Sequence, residues 1–490
     1  MTKLRVSRDI ACLVLLVIGV PAASALQDAS SKGGAPIPAN DAIADPAVDA
    51  LAARIVAATR LENVQVVALD APINTQAPLE IPLDGRTLSI ALYPHSLRSP
   101  DFEVLVPDGN GGLTPYAAPP ITTYRGVVAG QPTAQATASV IDGELHMMIR
   151  LSEGDTWYVE PAAEVLDDVT AEWHFAYRAD DITPSDASCG VDETMRGVPI
   201  VENEPSGGLR GVGLGRTEIG FDADFEFFTQ NGSSVDATVA DVEMILNNVS
   251  LIYQGEVGIC YAITTIIVRT SAAADPYSST DASTLLCEFT DHWNHFVTAG
   301  RDVAHLMTGK ELNGSTIGVA WLGVVCGPSF SNCSGGPLDY GLSESRFDHP
   351  FSTPLAERIQ ITAHGLGHNW NAENCDQAGN SCSGVSDCGI MRSFITGATS
   401  FSSCVRGVIA AHRDTRTCLE DCFNPTYVDF RTGAAGNGSP GDPFPTVGLG
   451  VVYVPVGGTV IVASGTYPEN LLLRKPVRIQ GSGGSVIIGN

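Results

Sequence analysis

Ile361-Thr362-Ala363-His364-Gly365-Leu366-Gly367-His368-Asn369-Trp370-Asn371-Ala372-Glu373-Asn374-Cys375-Asp376 is the stretch on which the reading of this chain turns. His364 and His368 are separated by one helical turn, so on a helix both imidazoles lie on one face and reach one metal ion. A hydrolytic zinc centre needs three further things: a third protein ligand, an open position for water, and a carboxylate beside the first histidine to take the water's proton. The carboxylate position is held by Gly365. Taken alone, the pair also fits two ordinary core or surface histidines.

The flanks add specificity. The run resembles the metzincin signature H-E-x-x-H-x-x-G-x-x-H, and Gly367, Asn369, Trp370, Ala372 and Glu373 are similar to its reprolysin/adamalysin branch. Position by position, His364 and His368 match the first two zinc ligands. Gly365 replaces the catalytic Glu, Asn371 the turn glycine and Asn374 the third His. Asn371 is a mild change, because Asn tolerates the left-handed conformation a glycine supplies at a helix end. Asn374 is a serious one, since a neutral amide oxygen ligates zinc poorly beside imidazole. Loss of a positioned general base typically costs about 100- to 10,000-fold in rate, roughly 3–5 kcal/mol of barrier. The resemblance therefore implies zinc on His364 and His368, with Asn374 or Asp376 as an unusual third ligand, and impaired proteolysis. Glu373 is a poor substitute base, because an acidic residue is common there when the normal Glu is present.

The bulk properties bound the remainder. A chain of 490 residues has room for about three domains, and 44% hydrophobic content is ample for real cores. With 27 basic against 55 acidic residues the net charge is −28, which argues against nucleic-acid or anionic-membrane partners. Lys3, Arg5 and Arg8 precede an apolar run from Ile10 to Val20 and small residues ending at Ala25. That is the layout of a secretory signal peptide over 1–25, too short for a good membrane span. It implies a secreted or cell-surface protein. Ten cysteines between Cys260 and Cys422 form an even set suited to disulfides, and zinc ligation by them is the weaker alternative given spacings unlike those of a ribbon or finger. Cys189 is the odd one out.

Along the chain, 26–208 opens with an Ala/Pro/Ser/Asp-rich lead-in and becomes strand-like from Leu79, with runs such as Thr87–Tyr93, Phe102–Val106 and Gln135–Val140. Leu97-Arg98-Ser99-Pro100-Asp101-Phe102, Tyr124-Arg125-Gly126, Ile141-Asp142-Gly143 and Trp157-Tyr158-Val159-Glu160-Pro161 resemble the reprolysin propeptide. By that resemblance Cys189 is a cysteine switch that ligates the zinc and holds a zymogen latent; a leftover or intermolecular thiol is the alternative.

Residues 209–424 are assigned to the metallopeptidase domain by the resemblance; their own pattern reads as strand Thr217–Phe228, helix Asp236–Tyr253 and strand Tyr261–Arg269, a βαβ unit, followed by helix Ser283–Val297. Asp302–Gly309 and Ser315–Cys326 resemble the strand and edge strand above the reprolysin cleft, the latter implying strand addition with an extended peptide. His305 sits at a position the family uses structurally. Thr353 and Pro354 predict the N-cap and first residue of the central helix. Cys388-Gly389-Ile390-Met391 resembles the Met-turn, with Met391 beneath the metal. A calcium site with unassigned ligands is also implied. Residues 425–490 resemble the opening coil of a right-handed parallel β-helix.

The expected fold is thus an α/β (α+β) metzincin-like catalytic domain between a β-rich propeptide and a short parallel β-helix-like segment. The expected function is that of a secreted zinc metalloendopeptidase homologue with impaired catalysis. Two alternatives stay open: a residually active endopeptidase with an unusual third ligand, and a non-enzymatic pseudoprotease that binds extended protein or peptide ligands.

Overall fold

The computed structural model describes residues 4–6, 46–191, 195–196, 215–421, 426–432, 438 and 443–489, apart from 71, 132–133, 153, 328–330, 334, 348–350, 455–457, 472 and 474–475. The cleavage position after Ala25, Cys12 and Cys422 lie outside these residues. So does the leader, apart from Leu4–Val6, which pairs antiparallel with Arg478–Ile488.

The N-terminal part supplies helix α1 (Pro46–Thr59) and an antiparallel eight-stranded sheet running from Gln65–Ala68 at one edge to Leu79–Leu83 at the other. Its central strands, Gln135–Ile141, Glu144–Arg150 and Thr156–Pro161, are buried on both faces. Such a sheet needs cover on each side. One predicted strand lies elsewhere: Arg98–Pro107, which contains Phe102–Val106, pairs parallel with Ile259–Val268 in the next sheet. A strand pattern fixes extended backbone but not its hydrogen-bonding partner.

That second sheet is the scaffold of the site. Gly215–Ala223 and Ile259–Val268 are parallel neighbours joined through α3 (Val235–Val257), as the strand–helix–strand pattern predicts. The first of these strands ends earlier than expected. Asp224 accepts from Phe227 N at 2.8 Å and caps a short helix, α2 (Phe225–Gln230). An aspartate before an aromatic run is a good helix start, and it overrides the β propensity of the phenylalanines. Val303–Thr308 follows in the sheet, then Tyr340–Glu344, then Thr316–Ala320 antiparallel to it. Helix α4 (Ala282–Phe296) covers one face with Leu285, Leu286, Phe289 and Trp293.

Helix α5 (Leu355–Asn369) crosses the other face and carries both histidines. It begins one residue later than expected. Its N-cap is Pro354, which has no capping side chain, and its first amides are instead satisfied from the N-terminal sheet. Leu355 N donates to Glu160 Oε1 at 2.9 Å and Ala356 N to the Tyr177 hydroxyl at 3.2 Å. Helix α6 (Ser403–Asp414) follows the loops beneath α5. Four disulfides have both cysteines among the described residues: Cys287–Cys333, Cys326–Cys418, Cys375–Cys388 and Cys382–Cys404. Cys260 is also disulfide-bonded, and Cys189 is free.

Beyond this lie helix α7 (Val447–Tyr453) and a parallel ladder of Thr426–Val428, Thr459–Tyr467 and Arg478–Ile488 with its own apolar core. Among the described residues no helix is long and apolar enough to cross a membrane. The architecture is mixed α/β with several sheets.

Candidate metal centre

His364 and His368 are fully enclosed, one turn apart on α5. His364 Nδ1 lies 2.8 Å from Ile390 O, and His368 Nδ1 lies 2.7 Å from Ala372 O. A carbonyl oxygen can only accept, so both Nδ1 atoms carry the proton. In the neutral rings both Nε2 atoms are then bare, and they face one another at 2.8 Å. Burial pushes both pKa values below the ordinary histidine value, that of His368 the further because His364 is beside it. Two converging lone pairs in a buried, neutral pair are poorly placed for each other and well placed for a cation. The carbonyl bonds are the outer-shell contacts that fix ring orientation at metal sites.

A third donor comes from far away in sequence. Cys189 Sγ lies 3.4 Å from His368 Nε2, and the ligand atoms of Cys189, His364 and His368 all fall within 4.8 Å of one another. Burial pushes the Cys189 thiol up to about 12. Asn374 is buried in the same place. Its Nδ2 donates to Val191 O at 3.3 Å, while its Oδ1 completes no hydrogen bond of normal geometry although it acts on His364. An unpaired acceptor in a buried site is costly, and it has a ready use as a weak ligand. Two imidazoles, a thiol and an orphaned amide oxygen make a donor set that fits zinc.

Asp376, the other proposed third ligand, is exposed and outside this group. Its carboxylate accepts from Ser393 N at 3.0 Å and from the Ser393 hydroxyl at 2.8 Å, and it reaches His364 only as a nearby charge. Glu373 is also committed elsewhere, to Arg196 at 2.9 Å and Ser381 N at 2.7 Å. No carboxylate stands at Gly365, where a Cβ would meet only His305 Cε1 at 3.4 Å. His305 itself bonds Ser343 Oγ at 2.9 Å through Nε2 and belongs to the core. A further group, Asp302 with Cys326 and Cys418, is no metal site, because the two sulfurs are joined in a disulfide.

Local structure explains how the histidines are held. Tyr253 OH donates to Ala363 O at 2.7 Å and Trp370 Nε1 to Tyr261 OH at 3.0 Å, pinning α5 to the layer beneath. Met391 is buried under the helix at Gly367, where a Cβ would sit 2.5 Å from its sulfur. The glycine is needed for this approach. At the helix end Asn371 adopts φ +71°, the left-handed turn expected of it, and Asn371 N bonds His368 O at 2.8 Å.

The cleft beside the metal group is filled by the chain itself. Ser188–Cys189 runs parallel to Thr316–Ala320 at the sheet edge, with Ser188 N on Ser315 O at 2.7 Å and Gly190 N on Gly318 O at 2.9 Å. On its other side Cys189 N bonds Ser393 O at 2.9 Å, and Ile395 N bonds Ala187 O at 3.2 Å. Nothing in the sequence around Cys189 signals this pairing; the unpaired cysteine was its only trace.

Residues 216–402 match the reprolysin-type model of metallo-peptidase family M12. The match supports a reprolysin-type metallopeptidase domain over these residues, and the helical histidine pair lies within them.

Proposed function

We propose that this chain is an exported, proteolytically impaired metallopeptidase homologue that keeps a metal-holding histidine pair and occupies its own peptide-binding edge. One arrangement supports the reading: Cys189 lies 3.4 Å from His368 Nε2 on a strand added to Thr316–Ala320, with glycine where the proton acceptor belongs. Zinc, when bound, would be held by His364, His368 and Cys189 with Asn374 alongside, and in this family it supplies a Lewis acid that polarises a peptide carbonyl. Here the thiol takes the position that water needs. Gly365 offers no base to replace what is lost.

The ligand class is an extended peptide or protein segment. The Thr316–Ala320 edge presents backbone groups to a strand of any sequence, a mode of recognition independent of the missing catalytic residues. Ser188–Cys189 is its resident occupant and holds the domain latent. Export rests on the signal-like N-terminus and on the disulfide pairs. The C-terminal parallel ladder is read as the opening coil of a β-helix, serving as a cap.

Peptide cleavage tests this directly. The full chain loaded with zinc is compared with Gly365→Glu/Asn374→His/Cys189→Ala on a library of quenched fluorescent peptides. The wild-type chain is expected to be silent and the triple variant active. Metal-dependent cleavage by the wild type would overturn the impairment, and silence in a folded, zinc-loaded variant would overturn the retained cleft.

A further inference from the structure

We propose that residues 46–191 are a permanent structural half of the metallopeptidase-like fold rather than a removable propeptide, with Glu160 acting as a positioning residue that caps the metal-bearing helix. This goes beyond the latency reading, which needs only the short segment around Cys189.

Three independent features carry it. The first is the sheet. Arg98–Pro107 is hydrogen-bonded to Ile259–Val268, and the latter is buried along its whole length because the N-terminal half supplies its outer neighbour. Removal of that half would strip a long, apolar strand to an open edge.

The second is α3. A helix on the surface of a domain buries one stripe. Every residue of α3 from Thr238 to Tyr253 is buried, the polar ones included. Asn247 Nδ2 donates to Tyr124 O at 3.1 Å and to Ala138 O at 3.3 Å. Asn248 pairs with Thr137, and Glu243 takes Arg98 through two bonds of 2.5 and 3.0 Å. Met148, Tyr158 and Phe175 share one continuous apolar core with Val249, Leu366 and Met391.

The third is the cap. The first turn of α5 has no capping side chain of its own, and its leading amides end on a relay in which Leu355 N donates to Glu160 and Ala356 N to the Tyr177 hydroxyl, which in turn donates to Glu160 at 2.5 Å. The helix that presents His364 and His368 therefore begins on a residue of the other half.

A specific protease site inserted after Gly208 tests the permanence in the full chain. Cys189→Ser and a chelator are included so that no metal bridge contributes. After complete cleavage the halves are expected to co-elute at nanomolar concentration and to unfold in one transition, separating only in denaturant. Separation in native buffer, with the 209–490 fragment keeping its own cooperative transition, would overturn the proposal. Hydrogen exchange in the uncut chain tests the cap. Glu160→Ala is expected to speed exchange of the Leu355 and Ala356 amides about tenfold or more, and Glu160→Gln, which keeps the acceptor, to restore protection to within about threefold. Unchanged protection in Glu160→Ala would remove Glu160 from the role assigned to it.

Discussion

His364 and His368 face each other through Nε2 atoms 2.8 Å apart, each locked in that tautomer by a backbone carbonyl on Nδ1. Two converging Nε2 lone pairs form a preorganised donor pair, so a divalent ion should bind the native state and not the unfolded chain. At zinc a hundredfold above its Kd the expected stabilisation is about 2.7 kcal/mol. It is read as a rise in Tm that chelator reverses and that His364→Ala or His368→Ala abolishes. A Tm indifferent to zinc would mean that the pair is only a core feature.

Cys189 should behave as a ligand. Cobalt(II) in the full chain is expected to show a thiolate charge-transfer band in the near ultraviolet, lost in Cys189→Ser, with metal affinity falling by roughly tenfold or more. The backbone bonds that seat the strand on the Thr316–Ala320 edge survive in this variant, so the edge should stay occupied. An unchanged cobalt spectrum would detach Cys189 from the site.

Gly367 is squeezed against Met391, so Gly367→Ala forces a methyl to within 2.5 Å of its sulfur. Overpacking of this kind costs about 1–3 kcal/mol. Denaturant unfolding should register the loss, and Gly367→Ala/Met391→Ala should couple non-additively in a double-mutant cycle.

At Asn371 the backbone is left-handed, φ +71°. Asn371→Ala is expected to cost about 1 kcal/mol, while Asn371→Gly should be close to neutral despite losing the 3.0 Å bond from Arg196. Equal losses in the two variants would assign the cost to the side-chain bond instead.

The pH dependence follows from the carboxylates that burial raises. Glu160 is pushed up to about 7 by burial, against the bonds from Tyr177 and Leu355, and Asp224 likewise to about 7. A folded-state value above the unfolded one means that the folded state holds the proton more tightly. These groups therefore add stability below about pH 4.5, and that stability is lost as pH rises to about 7. Glu160 alone contributes on the order of 3 kcal/mol to this slope. His146 acts in the same direction: burial, the largest single influence, lowers its pKa, but the charge and hydrogen bond of Glu164 together with the charges of Glu160 and Asp241 raise it overall. The buried histidines, held below their ordinary value, act in the opposite sense, so the test is the difference between the wild type and Glu160→Gln, whose urea midpoints should draw apart to the wild type's disadvantage from pH 5 to pH 8. A difference that moves the other way over that interval would contradict the assignment.

Much of the domain was legible because its signals are local. The histidine pair, the left-handed Asn371, the helix of α3 and the strand of Ile259–Val268 each follow from residue type and spacing within a few turns of chain. So did the losses at Gly365 and Asn374. Pairing was not legible. Phe102–Val106 reads as a strand wherever it goes, and only the second sheet's need for an outer neighbour decided its place. Thr353 looked like a cap, yet α5 is capped by Glu160 across almost two hundred positions of chain.

The sequence alone therefore determined the class of domain, the two candidate ligands and the glycine at the base position, because these are identities at fixed spacings on one helix. Tertiary structure decided between Asn374 and Asp376, and it brings Cys189, the residue the resemblance had implied, to the histidines. Cys189 and Asn374 converge on the histidines while Asp376 turns to Ser393, a choice made by backbone hydrogen bonds of the Ser188–Cys189 strand to Ser315, Gly318 and Ser393. Such bonds are blind to side-chain identity, so they leave no pattern in the sequence to read.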